Sequence, residues 1–196
     1  MAERKARVDR ETAETTVRVE LNVDGSGQFQ IITGIRMFDH LLTQLAQHGV
    51  FDIKASASGA DQHHVVEDVA ISLGKAFGKA LGKKQGIVRM AHALVPMDES
   101  LAQVVVDIGG RVYSTIEAQF GEANIGDLDA DLIRHFLSSF ASEAKINLHA
   151  KVLSGINDHH KAEALFKALA RALDSATRVD ERILGRVPST KETIEG

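Results

Sequence analysis

The sequence predicts an α+β fold made of two pseudo-symmetric β-β-α-β-α halves, with sheets packed against helices. Two observations carry this. Apolar residues switch along the chain from a period of two, the mark of a half-buried strand, to a helical period. The same succession then returns about 95 residues later. With 196 residues, 44% of them hydrophobic, the chain suits a single domain spanning 1–196, with repeats of roughly 8–92 and 93–187. Residues 188–196 are expected to form a Pro-marked C-terminal tail.

In the first half, Val17, Val19, Leu21 and Val23 alternate with Arg18, Glu20 and Asn22, as a strand with one buried face requires. Asp24-Gly25-Ser26-Gly27 signals a turn, and Phe29 to Thr33 is expected to return as the hairpin partner. From Met37 the period changes. Phe38, Leu41, Leu42, Leu45 and Ala46 share one helical face, with Gly49 placed as a C-terminal cap. Phe51 to Ala57 reads as a further strand. His63 to Leu81 reads as a helix facing inward through Val66, Ala70, Leu73, Phe77 and Leu81. Gly82 to Gly86 is a linker, and Lys75, Lys79, Lys83 and Lys84 are assigned to a solvated face. In the second half, Val104 to Ile108 and Val112 to Phe120 are strands around a Gly109-Gly110 turn. Gly121 to Gly126 is a loop, Asp127 to Ala144 a helix, and Ile146, Leu148, Ala150 and Val152 a clean alternation. Asp158 is placed to cap a last helix running to about Val179.

Composition excludes several classes. Lys and Arg number 23 against 27 Asp and Glu, a net charge of −4, the wrong sign for a nucleic-acid partner. Cysteine is absent, so disulfides, thiolate metal sites and thiol nucleophiles are excluded. No apolar run approaches the ~18 residues that span a bilayer, so no membrane partner is expected. The basic stretch Met1 to Arg7 leads into polar Asp9 to Thr16, unlike a secretory signal. A cytoplasmic protein is expected.

Aligning the halves uncovers the chemistry. Shifted by 95, residues 38–57 fall on 133–152: His40 meets His135, Leu42 meets Leu137, Ala46 meets Ala141 and Ala55 meets Ala150. With one extra loop residue, His63-His64-x-x-Glu67 falls on His159-His160-x-x-Glu163. A repeat kept for packing alone should preserve apolar positions and let polar ones drift, whereas this one also preserves histidine and glutamate. A single His-His pair is ordinarily surface polarity; two in register, each followed by Glu and preceded by a matching His, are not. On a helix His63 and Glu67 lie four apart, and adjacent histidines diverge by ~100°, so one ion is not expected to take both. Six imidazoles and two carboxylates divide into two sites of three histidines and one glutamate, with coordination positions left open for catalysis. Donor type leaves manganese, zinc, iron and cobalt as alternatives. His48, His92 and His149 are assigned structural or solvent-facing places, His92 in a connector. Arg89, Arg111, Lys167, Ser189 and Lys191 are weak phosphate-binding signals taken singly. Glu14 lies outside the repeat, without a symmetric partner.

Arg-Glu-Thr-Ala-Glu-Thr at 10–15, Phe-Asp-His-Leu-Leu at 38–42, His-His-Val-Val-Glu-Asp at 63–68, Asn-Asp-His-His-Lys-Ala-Glu at 157–163 and Pro-Ser-Thr-Lys at 188–191 together resemble the imidazoleglycerol-phosphate dehydratase family over essentially the whole chain. The resemblance implies a ribosomal protein S5 domain 2-like fold, two Mn2+ per active site and a homo-oligomer, a 24-subunit shell with sites between subunits. It implies metal ligation by His40, His63, His64, Glu67, His135, His159, His160 and Glu163. Substrate contacts would come from Glu14, His40, Arg89, Arg111, Lys167, Ser189 and Lys191, and catalytic roles would fall to Glu14, Glu67 and Glu163. The implied reaction dehydrates a small phosphate substrate, imidazole glycerol phosphate, in histidine biosynthesis. The Ser58–Gln62 loop is shorter than in plant members and carries Gln62 where they have Asp, which is expected to loosen the orientation of His63 or His64. A binuclear hydrolase, a metal-storage or sensing protein and a nucleic-acid module are the rival readings. The first would need more bridging carboxylates than two, and the last is opposed by the net charge.

Overall fold

The structure is a computed structural model that describes residues 3–194; the ends of the chain, including the last two residues of the expected tail, lie outside the described residues. Each half begins with a strand that local alternation hides. Lys5–Glu11 (β1) is a run of charges in which only Val8 is buried. Met90–Met97 (β5) is an edge strand without a fully buried residue, and it includes His92, which is therefore in a strand and not in a connector. After these come Thr15–Asn22 (β2), Phe29–Ile32 (β3), Arg36–Gly49 (α1), Asp52–Gly59 (β4) and Gln62–Leu81 (α2) in the first half, with Ser100–Asp107 (β6) and Tyr113–Glu117 (β7) in the second. The second half adds a small ribbon, Asn124–Ile125 (β8) with Leu128–Asp129 (β9), before Asp131–Ala144 (α3), Asn147–Ser154 (β10) and Asp158–Thr177 (α4). The β-β-α-β-α order holds in both halves, each preceded by one further strand.

The strand pairing corrects the expected hairpins. The sheets run β1-β2-β4-β3 and β5-β6-β10-β7. β3 lies parallel to β4, with Phe29 opposite Ile53 and Ile31 opposite Ala55, instead of folding back on β2. β7 likewise runs parallel to β10 and does not pair with β6. The reason is that β2 and β6 have both edges filled, by the preceding strand on one side and by β4 or β10 on the other. The chain can then return only at the far edge, through a helical crossover.

Local corrections have similar causes. The left-handed residue that ends α1 is Val50 (φ 56°), and its repeat mate Lys145 ends α3 in the same way. Gly49 is the last helical residue: a Cβ there would stand 2.6 Å from the Phe51 ring. Helix α3 starts at Asp131, after the β8–β9 ribbon, and not at Asp127, whose carboxylate accepts from the Arg36 and Met37 N–H groups at 2.9 and 2.8 Å, capping α1 from the other half. Asn157, not Asp158, caps α4 by accepting from the His159 and His160 N–H groups. Lys84, assigned to a solvated face, is buried, and burial together with nearby Arg89 lowers its pKa.

The main helix contacts cross between the halves. α2 covers β1 and β2 and packs against α3, while α4 covers β5 and β6 and packs against α1. The buried residues form one cluster drawn from both halves. Phe136 of α3 is central to it. Its ring stacks on Phe166 of α4 at 5.2 Å and meets the edge of Phe38 of α1 at 5.5 Å. The Phe136→Ala variant should lose about 3–5 kcal/mol of unfolding free energy, measured by denaturant titration at fixed protein concentration; a loss below 1 kcal/mol would show that the crossed helices do not depend on this ring.

Candidate functional site

Because the helices cross, the histidine carried by α1 or α3 meets the His-His-x-x-Glu of the opposite half. His40 of α1 lies 3.1 Å from Glu163 of α4, through Nε2 and Oε2, and His159 Nε2 lies 3.2 Å from the same oxygen. His135 of α3 faces His63 and Glu67 of α2, with Nε2 3.4 Å from Glu67 Oε1. In each trio the possible ligand atoms lie within 4.8 Å of one another. The ring pairs stand alike, with centroids 5.3 Å apart for His40–His159 and 4.6 Å for His63–His135. Each chain therefore assembles two clusters of two histidines and one glutamate, not three histidines and one glutamate.

The missing members are His64 and His160. Adjacent helical positions leave the axis about 100° apart, and their rings stand nearly perpendicular to those of His63 and His159, at 87° and 89°. His64 Nε2 lies 3.5 Å from Glu14, and His160 Nδ1 lies 2.7 Å from Glu99. Glu14 sits on the turn between β1 and β2, which is tied to α2 through buried Asp68. The Asp68 carboxylate accepts from Arg10 Nε at 2.7 Å and, on its other oxygen, from the Thr15 hydroxyl. Among the described residues the Gln62 side chain makes no hydrogen bond to His63 or His64; its Oε1 accepts from the Asp129 N–H at 3.1 Å.

The clusters fit a divalent cation. His135 Nε2 is buried and without a hydrogen-bond partner among the described residues, a costly state unless something else satisfies it. Imidazole and carboxylate donors without thiolate suit first-row divalent ions. The clusters differ electrostatically. Burial alone would raise the Glu163 pKa, but Lys167, with Nζ 2.6 Å away, and His40 hold it down at about 2. At the repeat position of Lys167, α2 has Ile71.

Arg89, Arg111, Ser189 and Lys191 line one cleft of about 910 Å3 between the second sheet and the tail. Arg89 binds Asp107 through Nε and Nη2, at 2.7 and 3.0 Å, and the Pro188 carbonyl through Nη1 at 2.7 Å. It thus clamps the tail as well as charging the cleft. Lys167 is not in this cleft but beside Glu163. Sequence reasoning missed Arg186, which lines the cleft, and Glu99. The signal for Glu99 was a second repeat offset, between the strand pairs that open each half.

The chain is similar to known proteins over its whole length. The model of the imidazoleglycerol-phosphate dehydratase family matches residues 33–173. The imidazoleglycerol-phosphate dehydratase of Dehalococcoides mccartyi strain 195 is 57% identical over 195 residues, covering 100% of both chains. That of Methanothermobacter thermautotrophicus is 51% identical over 191 residues, covering 96% of each. Among solved structures, the Staphylococcus aureus dehydratase superposes with a TM-score of 0.83 at 31% identity, over 90% of this chain and 99% of that one. The Pyrococcus furiosus enzyme, in complex with (S)-C348, has the same TM-score at 34% identity, over 95% and 99%. With whole-length likeness in sequence and fold, and a doubled His-His-x-x-Glu that contributes a histidine and a glutamate to each of two clusters, the chain belongs to the imidazoleglycerol-phosphate dehydratase family and is a hydro-lyase.

Proposed function

We propose that this chain is a metal-dependent dehydratase converting D-erythro-imidazole glycerol phosphate to imidazole acetol phosphate and water, the sixth step of histidine biosynthesis. One observation carries this reading: in a chain of this family, the two halves build two near-equivalent His2Glu clusters, a doubled site for a substrate whose ring has two nitrogens. A binuclear hydrolase would need more bridging carboxylates than Glu67 and Glu163 provide.

His40, His159 and Glu163 would hold one ion, and His63, Glu67 and His135 another. His64 and His160 turn away from their own clusters and would complete those of neighbouring subunits, so that the site forms only in a homo-oligomer, the 24-subunit shell of the resemblance. The ions, Mn2+ at two per active site, would supply Lewis-acid polarisation at the ring nitrogens. His40 also faces the bound substrate. Arg111, Ser189 and Lys191, with Arg89 holding the tail in place, bind the phosphate by charge-assisted hydrogen bonds, and Lys167 adds a cation beside Glu163. Glu14 takes the proton from the carbon next to the one that loses its hydroxyl; the resulting enol becomes the ketone. Glu67 and Glu163 keep the clusters electrically balanced during the proton transfer. The chain works as one cytoplasmic domain of two repeats, 8–92 and 93–187, with the 188–196 tail completing the site.

The ligand assignment is tested by His64→Ala and His160→Ala. Each should lose about one metal per subunit and abolish dehydration; full metal content with normal turnover would refute the assignment. Chelation should break a large oligomer into smaller species, seen by light scattering as a fall in mass, and an unchanged mass would exclude metal-organised contacts. Glu14→Gln should leave metal content and oligomer size unchanged while lowering kcat by about 10²–10⁴-fold. Lys191→Ala should instead mainly raise KM. A Glu14→Gln enzyme turning over at the wild-type rate would mean that another group takes the proton.

A further inference from the structure

Strand register contradicts the expectation that Glu14 has no symmetric partner. Against β4, Leu21, Val19 and Val17 stand opposite Ile53, Ala55 and Ala57. Against β10, Val106, Val104 and Ala102 stand opposite Leu148, Ala150 and Val152, the repeat mates of those three. The strand pairs that open the halves are therefore related by a shift of 85, which places Thr15 on Ser100 and Glu14 on Glu99. Thr15 and Ser100 are both buried, and both are approached by a glycine: a Cβ on Gly59 would lie 3.0 Å from Thr15 Cγ2, and one on Gly155 2.2 Å from Ser100 Oγ. Each glutamate then faces the second histidine of its half, His64 or His160.

The two carboxylates have diverged. Glu14 is exposed and makes no hydrogen bond through its carboxylate among the described residues beyond its 3.5 Å approach to His64 Nε2. Glu99, although also exposed, is held at both carboxylate oxygens. Its Oε1 accepts from the Ile156 and Asn157 N–H groups at 3.1 and 2.8 Å and from the Ser100 hydroxyl at 3.1 Å. Its Oε2 lies 2.7 Å from His160 Nδ1, at the distance of a charge-assisted bond. Among the described residues His160 Nε2 makes no hydrogen bond; the Asp98 carboxylate approaches it at 3.6 Å, beyond hydrogen-bond length. A carboxylate accepting from Nδ1–H fixes the ring plane and leaves the Nε2 lone pair free to bind metal.

We propose that Glu99 is a positioning residue: it takes the Nδ1–H of His160, locks the ring and presents Nε2 outward as a metal ligand. The same turn position is thereby left untethered in the other half, where Glu14 is free to move a proton. This rests on the reading of His160 as a ligand. Glu99→Gln isolates the effect. Its amide oxygen still accepts from Ile156 and Asn157, while its NH2 now faces Nδ1 and donates to it, driving the ring proton onto Nε2, where it blocks metal.

The test titrates the metal-free protein, in whatever assembly state it adopts, with Mn2+ against a competing chelator and records the Tm of the chelated protein. Glu99→Gln should bind the affected metal about 10–100-fold more weakly with Tm unchanged, whereas Glu99→Ala should lose both affinity and Tm. Wild-type affinity in Glu99→Gln overturns the proposal. So does a Tm loss in Glu99→Gln equal to that of Glu99→Ala, because the carboxylate would then serve only to hold the loop. His160→Ala separates the two levels. If it loses metal while Glu99→Gln does not, only the positioning role fails; if it keeps full metal, the ligand reading fails and takes this proposal with it.

Discussion

The packing of α1 on α4 and of α2 on α3 is the constraint on which the site depends. Each sheet can bury its inner face under the helices of its own half, but those helices still carry apolar residues on their far side. Phe38, Phe136, Phe140 and Phe166 bury that remainder only when the halves meet helix to helix. Burying an aromatic side chain is worth about 1.5–3 kcal/mol, so the crossing is set by the core and not by the ligands. Its consequence is chemical. A histidine on the first turns of α1 or α3 is delivered to the start of the opposite half's last helix, and a His2Glu cluster forms wherever the two meet.

The repeat also shows where two copies of one unit stopped being equivalent. Both keep the crossed histidine, the His-His-x-x-Glu and the left-handed residue that ends the crossover helix. They part at charged positions. Lys167 neutralises buried Glu163, whereas Ile71 leaves the more exposed Glu67 without a lysine. Asp158 accepts from the Gly121 and Glu122 N–H groups and pairs with Lys161, and these partners outweigh its burial and hold its carboxyl below the usual range. Its mate Gln62 makes a single neutral bond to Asp129. The second half thus carries the more heavily tethered electrostatics, and the first half the freer carboxylate.

Tethering extends to the chain ends. Asp107 and the Pro188 carbonyl converge on the guanidinium of Arg89, a residue whose φ is positive at 78°. The described residues after Ile183 have no strand or helix of their own to hold them, so this ion pair and the main-chain bond from Gly86 N–H to the Arg186 carbonyl decide where Ser189 and Lys191 lie.

The sequence by itself determined the repeat, the helices, the buried faces of β2, β4, β6 and β10, and which histidines and glutamates belong together by type. These are short-range properties: periodicity records which face of an element is buried, and side chains at i and i+4 meet whatever surrounds the helix. Tertiary structure decided what depends on partners distant in the chain. β1 and β5 are strands because a neighbouring edge satisfies their backbone, not because their side chains alternate. β3 and β7 run parallel because β2 and β6 had no edge left. The division of eight metal-binding candidates into two crossed trios and two outward histidines follows from helix packing between halves. The pairing of Glu99 with Glu14 became visible through strand register, since the shift of 85 that relates them differs from the shift of 95 that relates the helices and leaves only a short match, Glu14-Thr15 on Glu99-Ser100, in the sequence.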